Sequence, residues 1–183
     1  MFVHCSTCGA EVNQLRPFQC PHCHTWHWRN PKPCGGALIE RDGRVLMLER
    51  DQDPWRGCWD IPGGFCEDGE HPADTAVREI FEETGYHIEL LGLLGLWSDR
   101  YHGTEPPATT LNIYYLAQTP DGGEPVLDPA EASGHRWFGP DEEIHPIGFP
   151  GHFPQVLDAW RAVRRGQRTL TPLPDDEFLR RHH

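Results

Sequence analysis

Residues 64–86, GFCEDGEHPADTAVREIFEETGY, constrain this chain more than any other segment. Pro72 suits the first position of a helix, where its missing N–H leaves no bond unmade, and Asp74 sits where the positive helix N-terminus favours an anion. Ala73, Ala76, Val77, Ile80 and Phe81 recur at helical spacing and define a face to be buried. Gly85 stands where a left-handed residue ends a helix. The pattern predicts a helix over 72–84. Its other face carries Glu79, Glu82 and Glu83, whose i, i+3, i+4 spacing gathers three carboxylates within ~100° of arc. Like charges at that spacing repel, and Glu82 and Glu83 also lie near the C-terminal end, where the dipole disfavours anions. A solvated acidic face is the ordinary explanation of a charge run. The alternative is a bound divalent cation, which removes the conflict, and hard oxygen ligands favour Mg²⁺ or Mn²⁺. Arg78 is placed to bridge to Glu82 one turn on, or to orient another glutamate.

The seven cysteines are an odd number, and the start MFVHCSTCGA has neither a basic n-region nor an apolar h-region. A signal peptide and a disulfide framework are therefore not expected, and a cytoplasmic location is. Cys5, Cys8, Cys20 and Cys23 form two Cys-x-x-Cys pairs eleven residues apart. Each pair suits a tight knuckle of a tetrahedral Zn²⁺ site, with Gly9 permitting the sharp turn. About thirty residues cannot bury enough surface to fold alone, so metal binding would supply the folding energy of a zinc ribbon over residues 1–30. A redox dithiol is the rival reading. His22, His24 and His27 lie close enough to replace one thiolate, although solvent exposure is their ordinary fate.

Asn30-Pro31-Lys32-Pro33 reads as a stiff extended hinge. Residues 34–40 and 44–50, joined by Asp42-Gly43, read as a hairpin, and Trp59-Asp60-Ile61 as a short strand before the Pro62-Gly63-Gly64 turn. Strands are predicted over 87–97, 109–118 and 135–138, and a last helix over 154–165. The segment holding Pro106-Pro107 is predicted as a loop, and residues 166–183 as a polar C-terminal tail. The formal charge of −12 repels phosphate backbones, so a general nucleic-acid binder is not expected and an anionic substrate would need a local cation. No run approaches the ~20 apolar residues of a membrane span.

The 64–86 stretch resembles the Nudix hydrolase signature: Gly, five residues, Glu, seven residues, Arg-Glu, an aliphatic, any residue, Glu-Glu, any residue, Gly, an aliphatic. Gly64, Glu70, Arg78, Glu79, Ile80, Glu82, Glu83 and Gly85 stand in register, and Tyr86 takes the place of the usual aliphatic. Seven fixed types at roughly 5–8% usage each coincide by chance on the order of once in 10⁸ positions. The lead-in segments 35–39, 43–48 and 59–64 and the late Arg136-Trp137-Phe138 resemble the same family, so that residues 34–165 are covered. The Cys-rich start resembles the zinc ribbon ahead of the box in the NADH pyrophosphatase and ADP-ribose pyrophosphatase-like branch.

This resemblance implies an α/β fold, a Nudix α-β-α sandwich with a mixed sheet behind a small zinc ribbon. It also implies a metal-dependent hydrolase of the pyrophosphate linkage in a nucleoside diphosphate derivative. Glu82 and Glu83 become the principal Mg²⁺ or Mn²⁺ ligands, Glu79 a ligand or the base, and the Gly64 carbonyl a further ligand. Arg78 and Glu70 become a supporting ion pair. Members often add a glutamate from a later loop, for which Glu131 is the first candidate, ahead of Glu124, Glu142 and Glu143. Residues 96–103 lack the Ser-, Pro-, Trp- and Phe-rich signature of the NADH pyrophosphatases. The preferred substrate is ADP-linked (ADP-ribose, FAD or NADH type), with dinucleoside polyphosphates or nucleoside triphosphates as alternatives. Arg50 is placed to reach a phosphate, as is Arg56. Trp59 and Tyr101 are candidate substrate contacts, with Trp55 and Phe149 as further stacking candidates. A homodimer is a mild expectation. The rival class is a non-catalytic nucleotide sensor with a ribbon docking protein or RNA. Residues 1–33 are mildly basic, but a sensor has no need of all three box glutamates.

Overall fold

The computed structural model describes residues 3–14, 16–104 and 107–173. The chain divides into two compact units, residues 1–31 and 32–183.

The first unit holds two short antiparallel hairpins, β1 (Val3–His4) with β2 (Glu11–Val12), and β3 (Phe18–Gln19) with β4 (Trp26–His27). Each is preceded or spanned by a Cys knuckle built alike. Gly9 donates its N–H to the Cys5 carbonyl at 2.8 Å, and His24 donates to the Cys20 carbonyl at 2.9 Å. Both take the left-handed region, Gly9 at φ 71° and His24 at φ 59°. The glycine expected at the first turn thus has a histidine counterpart at the second, which occupies His24 in the turn. Cys5, Val12, Phe18 and Cys20 make a miniature core.

The second unit is a mixed sheet between two helices. It contains β5 (Lys32–Arg41), β6 (Arg44–Arg50), β7 (Trp59–Asp60), β8 (Gly63–Phe65), α1 (Pro72–Thr84), β9 (Glu89–Tyr101), β10 (Ala108–Gln118), β11 (Ala132–Phe138) and α2 (Phe153–Arg164). The strand order is β11-β6-β5-β10-β9, with β7 on β6 and β8 on β5. The β5–β10 pair is parallel, from Thr110 opposite Lys32 to Gln118 opposite Glu40; the other pairs are antiparallel.

The centre of β5 is a continuous buried run because both of its faces are covered. Ala37 and Ile39 join Leu46, Leu48, Ala76 and Ile80 under α1, while Leu38 joins Val45, Met47, Phe153 and Trp160 under α2. This period-two split makes a three-layer α-β-α sandwich. Helix α1 begins at a His71 cap that accepts the Ala73 N–H at 3.2 Å and ends at left-handed Gly85.

Strand β9 runs on to Tyr101, four residues beyond the predicted end. Its polar continuation pairs with β10, so no apolar alternation announced it. Residues 166–173, read from sequence as part of a polar tail, dock on the sheet: Thr171 and Leu93 exchange backbone hydrogen bonds of 2.8 and 3.1 Å. The remainder of that tail, 174–183, and Pro106 lie outside the described residues. Among the described residues no helix is long and apolar enough to cross a membrane.

Candidate active site and metal centres

The Sγ atoms of Cys5, Cys8, Cys20 and Cys23 lie within 4.8 Å of one another. Zn–S bonds of about 2.3 Å arranged tetrahedrally give S···S edges of about 3.8 Å. Cys8–Cys20 is 3.8 Å and Cys5–Cys23 is 3.6 Å, far from the ~2.05 Å of a disulfide. The donor set therefore fits a tetrahedral zinc ion. His27 departs from the expectation of solvent exposure. It is 6% exposed, stacks on Phe18 at 4.6 Å and brings Nε2 to 3.1 Å from Cys5 Sγ. It orients a thiolate from outside the four-sulfur set. His22 and His24 are exposed.

In the second unit a cavity of about 310 Å³ opens where β8, α1 and β10 converge. Glu79, Glu83 and Glu131 line it, with Gly64 beside them. Glu83 projects from the last turn of α1, and its Oε2 accepts the Gly63 N–H at 3.0 Å. Burial first, then the Glu131, Asp60 and Glu79 carboxylates, push its carboxyl well above the usual range. Glu79 is also raised, by burial above all, with Arg78 opposing and Glu82 and Glu131 adding to the rise. The carboxylate of Glu79 rests directly on the backbone of Gly64, where any Cβ would overlap it. This close approach, rather than an unusual φ, is why the position needs glycine.

Arg78 is the clamp. Its Nε and Nη2 bond Glu70 at 2.8 and 2.9 Å, and its Nη1 bonds Glu79 at 2.8 Å and Glu82 at 3.0 Å. The Arg78 hydrogen bonds hold Glu70 down at about pKa 2, with further help from the Glu67 N–H and Thr75. Glu70 thereby ties the 66–71 loop to the helix.

The carboxylates do not all converge as the helical spacing suggested. Glu82 is outside the cavity lining; its side chain is 56% exposed and paired with Arg78. The 100° arc of the helix turns it toward solvent while Glu79 and Glu83 turn inward. Trp59 also needs correction as a substrate contact: it packs edge-on against Phe138 at 5.2 Å, against the α2-side core, outside the cavity lining. Alternation along β7 instead points Asp60 inward. Asp60 is buried, with its carboxyl raised by burial against the pull of Arg50, which pairs with it at 2.8 Å.

Arg50 does line the cavity, but it also donates to the Pro54 carbonyl and lies 5.0 Å over the Phe149 ring. Tyr101 lines the cavity too, edge-on to Phe65 at 5.5 Å and near-parallel to Phe149 at 6.2 Å. Glu124 pairs with His135, Glu142 with Arg136, and Arg56 with Asp51, all away from the cavity lining. Trp55 and Glu143 are outside it as well. Cys66 is half-buried, its thiol raised by burial first and by Glu70. Asp60, Asn112, Tyr114 and His152 line the cavity without having been singled out from the sequence. An acid among the apolar residues before the Pro62-Gly63-Gly64 turn was the one available signal.

Residues 31–159 match the NUDIX domain family. This chain belongs to the Nudix family. It is 29% identical over 158 residues to the NAD-capped RNA hydrolase NudC of Vibrio parahaemolyticus, covering 84% of this chain and 56% of that protein. It is 41% identical over 97 residues to the ADP-ribose pyrophosphatase of Methanocaldococcus jannaschii, covering 52% of this chain and 54% of that one. The chain spans little more than half the length of these curated relatives. Among solved structures, a NUDIX hydrolase from Nitrosomonas europaea superposes with a TM-score of 0.69 at 28% identity, over 93% of this chain and 96% of that one. The matched segment includes every strand from β5 to β11, all of α1, and α2 as far as Ala159.

Proposed function

We propose that the chain is a divalent-metal-dependent hydrolase that cleaves the pyrophosphate linkage of a nucleoside diphosphate derivative, with an ADP-linked compound preferred. The observation that carries this is the meeting of Glu79, Glu83 and Glu131 around one cavity whose lining, among the described residues, holds a single arginine, Arg50, already paired with Asp60. Glu79, Glu83 and the Gly64 carbonyl would hold Mg²⁺ or Mn²⁺, with Glu131 beside them and Glu82 at the rim. Bound there, such an ion neutralises the diphosphate and lowers the pKa of its water.

The chain's own residues supply position. Arg78 fixes Glu79 from one side, and Gly64 lets that carboxylate sit against the strand. Glu131, on the loop before β11, is the candidate to accept the proton of the attacking water. Tyr101, Phe65 and Phe149 offer ring faces to a base. The ADP-linked preference draws on the name of the Methanocaldococcus relative. The four cysteines take a structural zinc.

The test is a panel of ADP-ribose, FAD, NADH, dinucleoside polyphosphates and nucleoside triphosphates with Mg²⁺ or Mn²⁺. The expected result is metal-dependent release of AMP, fastest from an ADP-linked compound, with Glu83→Gln slower by ~10²-fold while folded. Binding without turnover by the wild type would favour the sensor, and faster turnover of triphosphates would overturn the ADP-linked preference.

A further inference from the structure

The cavity has a second wall that the metal-side carboxylates do not explain. Strand β10 turns Thr110, Asn112 and Tyr114 toward it, every second residue on one face. Behind Tyr114 lies a chain of hydrogen bonds, buried at its His152–Tyr114 link and part-buried at Asp99. Asp99 Oδ2 is 2.7 Å from His152 Nδ1, and His152 Nε2 is 3.0 Å from the Tyr114 hydroxyl. His152 is 2% exposed and Tyr114 8%.

In the tautomer that donates Nδ1–H to the Asp99 carboxylate, Nε2 accepts a hydrogen bond from the Tyr114 hydroxyl. The tyrosine oxygen is left with its lone pairs as an acceptor for a ligand. Asn112 uses its amide nitrogen on the Trp97 carbonyl at 3.3 Å and Thr110 Oγ1 at 3.1 Å, so its carbonyl oxygen too is an acceptor.

The loop that brings His152 is fixed in place. Trp59 donates to the Pro146 carbonyl and accepts from the Gly148 N–H, each at 2.8 Å. Phe149 holds φ 48°, a left-handed conformation rare for a bulky residue. Backbone strain of this kind persists where the surroundings enforce it.

A wall of acceptors selects a ligand group rich in donors. Phosphate oxygens only accept. A purine edge mixes donors with ring-nitrogen acceptors that this wall cannot serve. Sugar hydroxyls fit. We propose that Tyr114, positioned by His152 and Asp99, reads a hydroxyl of the substrate's sugar. This rests on the nucleoside diphosphate reading above and adds the part of the substrate that the site discriminates.

The test uses the non-hydrolysable α,β-methylene analogue of ADP-ribose and derivatives lacking one sugar hydroxyl each, titrated by calorimetry in Mg²⁺. In the wild type, deleting the hydroxyl that is read weakens binding ~10-fold. In Tyr114→Phe the same deletion costs less than about 2-fold, because the partner is already gone. Asp99→Asn, which leaves Tyr114 in place, shrinks the discrimination as well and serves if Tyr114→Phe fails to fold by circular dichroism. Undiminished discrimination in the folded variants overturns the proposal, as does a wild type indifferent to every deletion. Discrimination with no cleavage of the natural diphosphate would keep the subsite and remove the hydrolase reading; cleavage with undiminished discrimination in the variants would do the reverse.

Discussion

Gly64→Ala separates positioning from stability. A Cβ at Gly64 would lie 2.5 Å from each oxygen of the Glu79 carboxylate. Ordinary contact needs about 3.4 Å, so the carboxylate must withdraw by roughly 1 Å, and a displacement of that size costs on the order of 10²-fold in turnover. The obstructing atoms are the far end of a flexible side chain, so the fold can absorb the change for about 1 kcal/mol. The assay is metal-dependent hydrolysis of the best substrate, alongside Mn²⁺ binding by electron paramagnetic resonance and a thermal melt. The expected result is kcat down ~10²-fold and weaker Mn²⁺ binding, with Tm lower by only a few degrees. Gly122→Ala, whose Cβ meets nothing within 4 Å, is the control. A folded Gly64→Ala protein with kcat within about 3-fold of wild type would refute the argument that Glu79 must rest on that backbone.

His27→Ala removes the hydrogen bond to Cys5 and is expected to weaken zinc binding ~10- to 100-fold, read by competition with a chelator; unchanged affinity would count against its orienting role. Glu70 contributes to the pH dependence of stability with a definite sign. Its folded pKa, about 2, lies below the ordinary 4.5, so its stabilisation is present above 4.5 and lost as pH falls toward 2. Glu70→Gln is therefore expected to lower Tm at pH 7 and to flatten the acid limb of Tm against pH over that interval; an identical acid limb would contradict the assignment. Trp59→Ala should destabilise by ~2 kcal/mol or more through lost packing on Phe138 while leaving KM within about 2-fold; a large KM increase at unchanged Tm would restore Trp59 as a substrate contact.

Helix α1 was legible to its ends because Pro72, the apolar stripe and Gly85 are local signals that agree. The hairpin around Asp42-Gly43 and the Cys pairs were legible for the same reason. What escaped is set by pairing across the chain. Asp99 and Tyr101 lie on a polar strand extension that exists only because Thr110 and Ala108 lie opposite them. His152 gains its place from Asp99 and Tyr114, 53 and 38 residues away. Helical spacing put Glu82 on the acidic face, but not on the side that the sheet would close over. Trp59 and Asp60 alternate across β7, and without a known strand orientation the sequence offered no means of deciding which of the two faced the cavity.

The parallel pairing of β5 with β10 has a consequence for biosynthesis. Lys32 finds its neighbour at Thr110, so a nascent chain that has emerged only through α1 carries the middle strand of its future sheet with one flank bare. Such a flank invites pairing with other chains. Truncations ending before β10 are therefore expected to aggregate where the full chain stays in solution.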